Sequence, residues 1–207
     1  MKTTEFYKHI SAPLQPAMRA LGFAKSKRTI PCWQQPLAGQ TLYLLIKAGK
    51  YTWQDGLGSD FSLYAYLRDS TAPPPDPGES DALYPFDYAD EGLKARLLAQ
   101  NRVVYEKIAA LDIGYLQGFE RQCAETRREA LLPDLCADIE SERPWITINK
   151  PLYYYDAADA AAWGEPVRLL FQAVTSGVAA AFFLRLTYNR LYTEGFSAFT
   201  LRIRKDM

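Results

Sequence analysis

The sequence predicts an α+β fold: a single antiparallel sheet with an N-terminal helix and several further helices packed on one face. Three observations lead there. An apolar repeat of helical spacing opens the chain, three strand-like segments follow it closely, and from Asp90 onward the pattern is helical again. The strand connections Pro36–Gln40 and Ala48–Ser59 are too short for helical crossovers, so an antiparallel meander is expected rather than βαβ units.

Thr4–Leu21 reads as the first helix, because Phe6, Ile10, Leu14, Ala17/Met18 and Leu21 recur on one face. Thr3 or Thr4 is placed to cap it. Pro13 and Pro16 lie inside the pattern, which predicts a kink or a break into two pieces, and Gly22 ends it. Thr29–Gln35 is the first strand, confined by Pro31 to an edge or a bulge. Thr41–Lys47 is the second, rich in Leu, Ile and Tyr. Asp60–Arg68 is the third: Phe61, Leu63, Ala65 and Leu67 alternate with Ser62, Tyr64, Tyr66 and Arg68, the period of a half-buried strand.

Residues 70–89 hold Pro73, Pro74, Pro75, Pro77, Gly78 and Pro85, and read as an extended acidic surface loop. Asp90 is positioned to cap a helix whose buried stripe is Leu93, Leu97, Val104, Ile108 and Leu111, with Gly114 breaking it. A second helix is expected over Tyr115–Leu132, with Glu120, Arg121, Glu125, Arg127, Arg128 and Glu129 on its wet face and Pro133 at its end. A short piece over Asp134–Glu140, a strand over Trp145–Asn149, a helix over Glu165–Leu191 and a final strand or helix tail over Phe196–Arg204 complete the chain. Apolar positions in Glu165–Leu191 run nearly all round, which implies burial on most sides, and Pro166 sits in its favoured first turn. No fixed-period repeat divides the chain, which reads as one domain over residues 1–207.

Composition narrows the function classes. The 207 residues carry 24 Lys+Arg against 24 Asp+Glu, and this neutrality argues against a generic nucleic-acid binder. A single histidine, His9, excludes two-histidine zinc chemistry, and no metal site or cofactor is expected. Cys32, Cys123 and Cys136 are an odd number at unrelated spacings, as expected of reduced thiols in a cytoplasmic protein. The first twenty residues contain no apolar core of signal-peptide type. The most apolar run, Leu169–Leu186, is short and interrupted by Gln172, Ser176 and Arg185, so a buried helix is expected there and no membrane partner.

No nucleophile elbow, phosphate-binding loop or metalloprotease motif is present, and no catalytic residue is assigned. His9 has no identifiable carboxylate to orient it as a general base. The enzyme alternative is a small hydrolase acting on a sugar or phosphate ester through paired carboxylates, Asp55 with Asp60 or Asp156 with Asp159.

Charge placement carries more information. Residues 1–54 hold eight basic groups against Glu5, a balance of +7, while residues 55–91 hold nine acidic groups against Arg68, a balance of −8. The acidic stretch overlies the proline-rich loop and carries three rings. Asp76, Glu79, Asp81, Tyr84, Phe86, Asp87, Tyr88 and Asp90 are therefore candidate contacts for a basic protein partner: charge steers the encounter and rings supply desolvated anchors. The competing reading is internal compensation, with the loop folded against the basic segment Lys25–Arg28. Tyr153, Tyr154 and Tyr155 form a second aromatic candidate surface, since consecutive strand residues point to opposite faces.

The order of a helix, Leu21-Gly22-Phe23, a short basic turn, a strand with Trp33, and Phe61-Ser-Leu-Tyr-Ala-Tyr-Leu67 resembles a bacterial domain family of unknown function over the first third of the chain. Some similar small domains act as immunity proteins. The resemblance carries over no assigned catalytic residues and implies a role in neutralising a toxin by occlusion.

Overall fold

The computed structural model describes residues 1–49, 56, 58–126, 128 and 152–181. Helix α1 spans Thr3–Ala20 and buries Phe6, Ile10, Leu14 and Met18, the face expected from the sequence. It is one uninterrupted helix despite Pro13 and Pro16. Both prolines are solvent-exposed residues outside the buried face, the ring of Pro13 resting against Gly164. Neither threonine caps it. Lys2 holds the cap position, and its backbone N–H donates to the Glu5 carboxylate at 2.9 Å. Gly22, at φ +85°, closes the other end: its N–H donates to the Arg19 carbonyl and the Phe23 N–H to the Met18 carbonyl at 2.9 Å. This paired closure needs a left-handed residue and turns Phe23 back onto the core beside Met18.

The sheet is an antiparallel meander, β1(Ala24–Lys25), β2(Cys32–Leu37), β3(Gln40–Ala48), β4(Ser59–Asp69) and β5(Leu152–Tyr154), with spatial order equal to sequence order. Strand β2 starts after Pro31 and contains Pro36 instead, and it is an interior strand. The Ala38-Gly39 turn, with both φ values positive, joins Leu37 to Gln40 and sets the register. Hydrogen-bonded and non-bonded pairs then alternate, and the Pro36 nitrogen points away from β3. Strand β1 reaches only as far as Gln34, so no ladder bond is lost there.

Helix α2 (Glu91–Ala110) follows a 3₁₀ turn at Pro85–Tyr88, and the Asp90 carboxylate accepts the Leu93 N–H at 2.7 Å as the cap the sequence predicts. Residues 118–126 form α3. Helix α4 (Ala157–Ala162) and helical residues 164–181, α5, follow β5. The expected stripe on α2 is buried from Leu93 through Ile108. Along α5, burial is confined to Gly164, Val167, Leu170, Phe171, Val174 and Val178; Gln172 and Ser176 are exposed, so burial on most sides does not hold for residues 164–181. Arg128 is not on a wet face either: its guanidinium donates to the Leu111 and Gly56 carbonyls, each at 3.0 Å. The expectations for Asp134–Glu140, Trp145–Asn149, Phe196–Arg204, and the distal parts of Tyr115–Leu132 and Glu165–Leu191 lie outside the described residues.

The main core lies between the helices and one sheet face. Phe6 stacks on Tyr154 at 4.0 Å between centroids, Phe61 meets Trp163 edge-on at 5.5 Å, and Trp33 approaches Phe171 at 6.1 Å. The opposite face carries a smaller cluster of Cys32, Tyr43, Leu45 and Tyr66, with Ile30, Tyr64 and Ala82 packed around it. The period-two pattern of β4 is real, but its second face is not solvent: Tyr66 is fully buried.

Candidate partner-binding surface

Residues 70–84 run from the end of β4 across that second face. Tyr66 is the centre of the seam. Its hydroxyl donates to the Asp76 carbonyl at 3.1 Å and accepts the Gly78 N–H at 3.0 Å. Burial pushes the Tyr66 hydroxyl above the ordinary tyrosine range, so it stays protonated and able to donate. Leu83 donates its N–H to the Ala65 carbonyl at 2.7 Å, extending the sheet along the free edge of β4.

Two arginines engage the loop's acids. Arg68 grips Asp81 with two parallel bonds, Nε at 2.8 Å and Nη2 at 2.7 Å, and also pairs with Glu79. Arg28 donates to the Pro75 carbonyl and pairs with Asp76. The Arg68 guanidinium hydrogen bonds hold the carboxyls of Glu79 and Asp81 below the usual carboxylate range. Internal compensation is thus present at one end of the loop, where Asp76, Glu79 and Asp81 face protein arginines while remaining substantially exposed to solvent, Asp76 at 78%.

The other end differs. Asp87, Asp90 and Tyr84 are exposed, Tyr84 at 41%. Phe86 is a core residue, as is Pro85, and this 3₁₀ turn pins the loop to the helical layer. Tyr88 is half-buried and seated against α5 where Gly177 lacks a side chain; a Cβ there would lie 2.3 Å from Tyr88 Cδ1. Burial, then the neighbouring Asp87 charge, raises the Tyr88 hydroxyl. Tyr88, Asp90, Arg96, Leu169, Gln172 and Ser176 line an open cleft of about 500 Å³ between α2 and α5.

The three consecutive tyrosines split as strand residues should. Tyr154 is buried in the main core, while Tyr153 and Tyr155 are half-buried. Asn101 of α2 accepts the Tyr153 N–H at 2.8 Å, and the Trp163 ring N–H donates to the Tyr153 carbonyl at 2.8 Å. Asp156 and Asp159 come together at the start of α4. Asp156 accepts from the backbone of Ala158 and Asp159, and Asp159 accepts from Tyr155 and Asp156. Lys107 bridges both carboxylates at 2.5 and 3.0 Å. Burial pushes Asp156 up, but the Lys107 ammonium and the cap amides outweigh it and hold the carboxyl below its ordinary range. That is the setting of a charged helix cap; a general acid at neutral pH needs the opposite shift. His9 shares an open cleft of about 560 Å³ with Glu5, Lys8, Tyr155 and Asp156, so the structure brings a carboxylate to the same cleft as the lone imidazole. Asp60 is half-buried beside Gly49, and Asp55 lies outside the described residues.

Of the residues that organise the loop, Arg28 lies in the basic segment named for internal compensation, while Arg68 and Tyr66 were missed. The signal was the adjacency of the +7 and −8 segments, together with an arginine and a tyrosine on the polar side of β4. Among the described residues, no helix is long and apolar enough to cross a membrane, and no group of three or more His, Cys, Asp and Glu is placed to hold a metal ion. No family model, curated protein or solved structure matches the chain.

Proposed function

We propose that this chain is a non-enzymatic binding protein that presents an acidic, ring-bearing rim to a basic protein partner, in its most concrete form a cytoplasmic immunity protein that occludes a bacterial toxin. The observation that carries this reading is a charge excess on an ordered loop. Residues 69–91 hold seven carboxylates and no Lys or Arg; adding the basic partners Arg28, Arg68 and Lys94 leaves 3 − 7, a balance of −4. The rim is ordered before any encounter by the Tyr66 hydroxyl, the Leu83 bridge and the buried Pro85-Phe86 pair, which lowers the entropic cost of docking. Because Arg28 and Arg68 already engage Asp76, Glu79 and Asp81, the contact centres on Tyr84, Asp87 and Asp90, with Tyr88 behind them. Phe86 and Tyr154 are buried in the core and drop out of the contact, and Tyr153 and Tyr155, half-buried at β5, are not assigned to it.

The test is a partner recovered from the native cell and measured by titration calorimetry against the variant Tyr84→Ala/Asp87→Lys/Asp90→Asn. Asparagine keeps the α2 cap, so folding is preserved. The expected result is a large loss of affinity and a fall in affinity with added salt. Affinity unchanged in this variant refutes the assignment of the rim.

A further inference from the structure

We infer that residues 70–84 form an electrostatically held strap that opens as a unit, uncovering the Cys32, Tyr43, Leu45 and Tyr66 face of the sheet while the helical core stays folded. This concerns the chain alone and does not depend on any partner.

The two ends of the strap are fixed by different means. At its start, the Ser70 N–H donates to the Gly39 carbonyl at 3.0 Å and its hydroxyl meets that of Thr41. At its end, Pro85 and Phe86 are buried in the main core. Between these anchors, the strap buries few apolar side chains: Pro75 is buried, Ala82 packs on the second cluster, and Leu83, at the strap's end, packs against the main core. Its hold comes from Arg28 on Asp76 and the Pro75 carbonyl, Arg68 on Glu79 and Asp81, the Tyr66 hydroxyl on Asp76 and Gly78, and one backbone bridge from the Leu83 N–H to the Ala65 carbonyl. The carboxylates of those pairs are 41–78% exposed, so dissolved salt screens them. The main core has no such dependence, because it is built from apolar packing of four helices on the other face. Local opening at a cost below that of global unfolding follows where few apolar contacts hold a segment down.

Cys32 is a built-in reporter. It is fully buried in the covered cluster, and burial pushes its thiol up to about 11, so it reacts only when solvated. The experiment uses the full chain with Cys123→Ser and Cys136→Ser, leaving Cys32 as the one thiol, and follows its labelling by an aromatic disulfide reagent. The amide of Val167, bonded to the Trp163 carbonyl at 3.0 Å, serves as the main-core reference by hydrogen exchange. Adding Arg68→Gln should speed labelling by about tenfold or more, since charged hydrogen bonds are lost. Raising sodium chloride to about 1 M should speed it in the Arg68-containing chain. Val167 exchange should stay unchanged in both, and Arg121→Gln, which breaks the exposed Arg121–Glu125 pair instead, should leave labelling unchanged. If Arg68→Gln does not fold, the salt comparison decides. Labelling that is indifferent to salt, or that accelerates only in step with Val167 exchange, overturns the strap.

Discussion

The two faces of the sheet are closed by different chemistry. On one, α1, α2 and α5, with Trp163 at the end of α4, bring large apolar side chains onto Trp33, Leu44, Phe61 and Leu63. On the other, an irregular proline-rich segment covers a four-residue cluster and is held by two arginines and one buried tyrosine hydroxyl. Helices bring a continuous apolar stripe and satisfy their own backbone. A loop brings carbonyls and amides that need partners, so the face beneath it has to supply polar anchors. That is why Tyr66 rather than Leu occupies the centre of the second face. Stability should therefore concentrate on the helical side, and conditional behaviour on the loop side.

Adjacent residues on β3 sharpen this contrast most. Leu44 and Leu45 are both fully buried but point to opposite faces. Truncation to alanine costs about 2–5 kcal/mol depending on how far the surroundings relax. Leu44→Ala should fall at the upper end, because helices and sheet enclose it. Leu45→Ala should fall at the lower end, because the loop can settle. Chemical denaturation of both variants measures the difference, and equal losses would remove the distinction between the faces.

Tyr66→Phe comes next. It keeps the ring and deletes the hydroxyl that joins Asp76 to Gly78, leaving partly buried groups unpaired at a cost of about 1–2 kcal/mol. The loss should appear as faster exchange of the Gly78 and Leu83 amides with Val167 unaffected. A uniform rise in exchange across both faces would show the loop to be part of the global unit. Smaller still is Asp90→Ala. It removes the cap of α2 at a cost of about 1 kcal/mol, whereas Asp90→Asn should be near neutral in thermal denaturation.

The helical face was far more legible in the sequence than the loop face. The stripes of α1 and α2 and the alternation of β4 are periodic, and periodicity reports burial directly. Pro13 and Pro16 misled because both lie outside the buried face, so the packing of Phe6, Ile10, Leu14 and Met18 holds the helix through them. Pro31 misled because a proline just before a strand costs nothing, while Pro36 within β2 is tolerated where β1 stops short. The α5 pattern overstated burial because small residues such as Ala173, half-buried here, read as apolar without being enclosed. At the candidate surface, charge asymmetry located the loop, but no periodicity marks which carboxylates an arginine distant in sequence will engage. Arg28 reaches Asp76 across 48 positions, a pairing that only the register of β2, β3 and β4 creates.

The last way to separate the faces is acid. Glu79 and Asp81 are held below their unfolded values by Arg68, and a carboxyl depressed by folding stabilises the protein above its unfolded pKa. That stabilisation is lost as pH falls through the lower, folded value, so the loop should loosen on the acid side of about pH 4, where unfolded carboxyls titrate. Asp156 on the helical side is depressed in the same sense by Lys107, and Asp69 by the Thr71 hydroxyl and amide, so acid sensitivity alone does not assign the effect to one face. The variant Glu79→Gln/Asp81→Asn does. It removes the two carboxyls while leaving Asp156 and Asp69 in place. Labelling of Cys32, compared at each pH after correction for thiol ionisation, should rise toward acid in the parent and be flatter in the variant. Thermal stability should retain its remaining acid dependence through Asp156 in both. A variant whose labelling profile overlays the parent's would place the acid-sensitive element outside the Arg68 clasp, and with it the view that this face is held by charge.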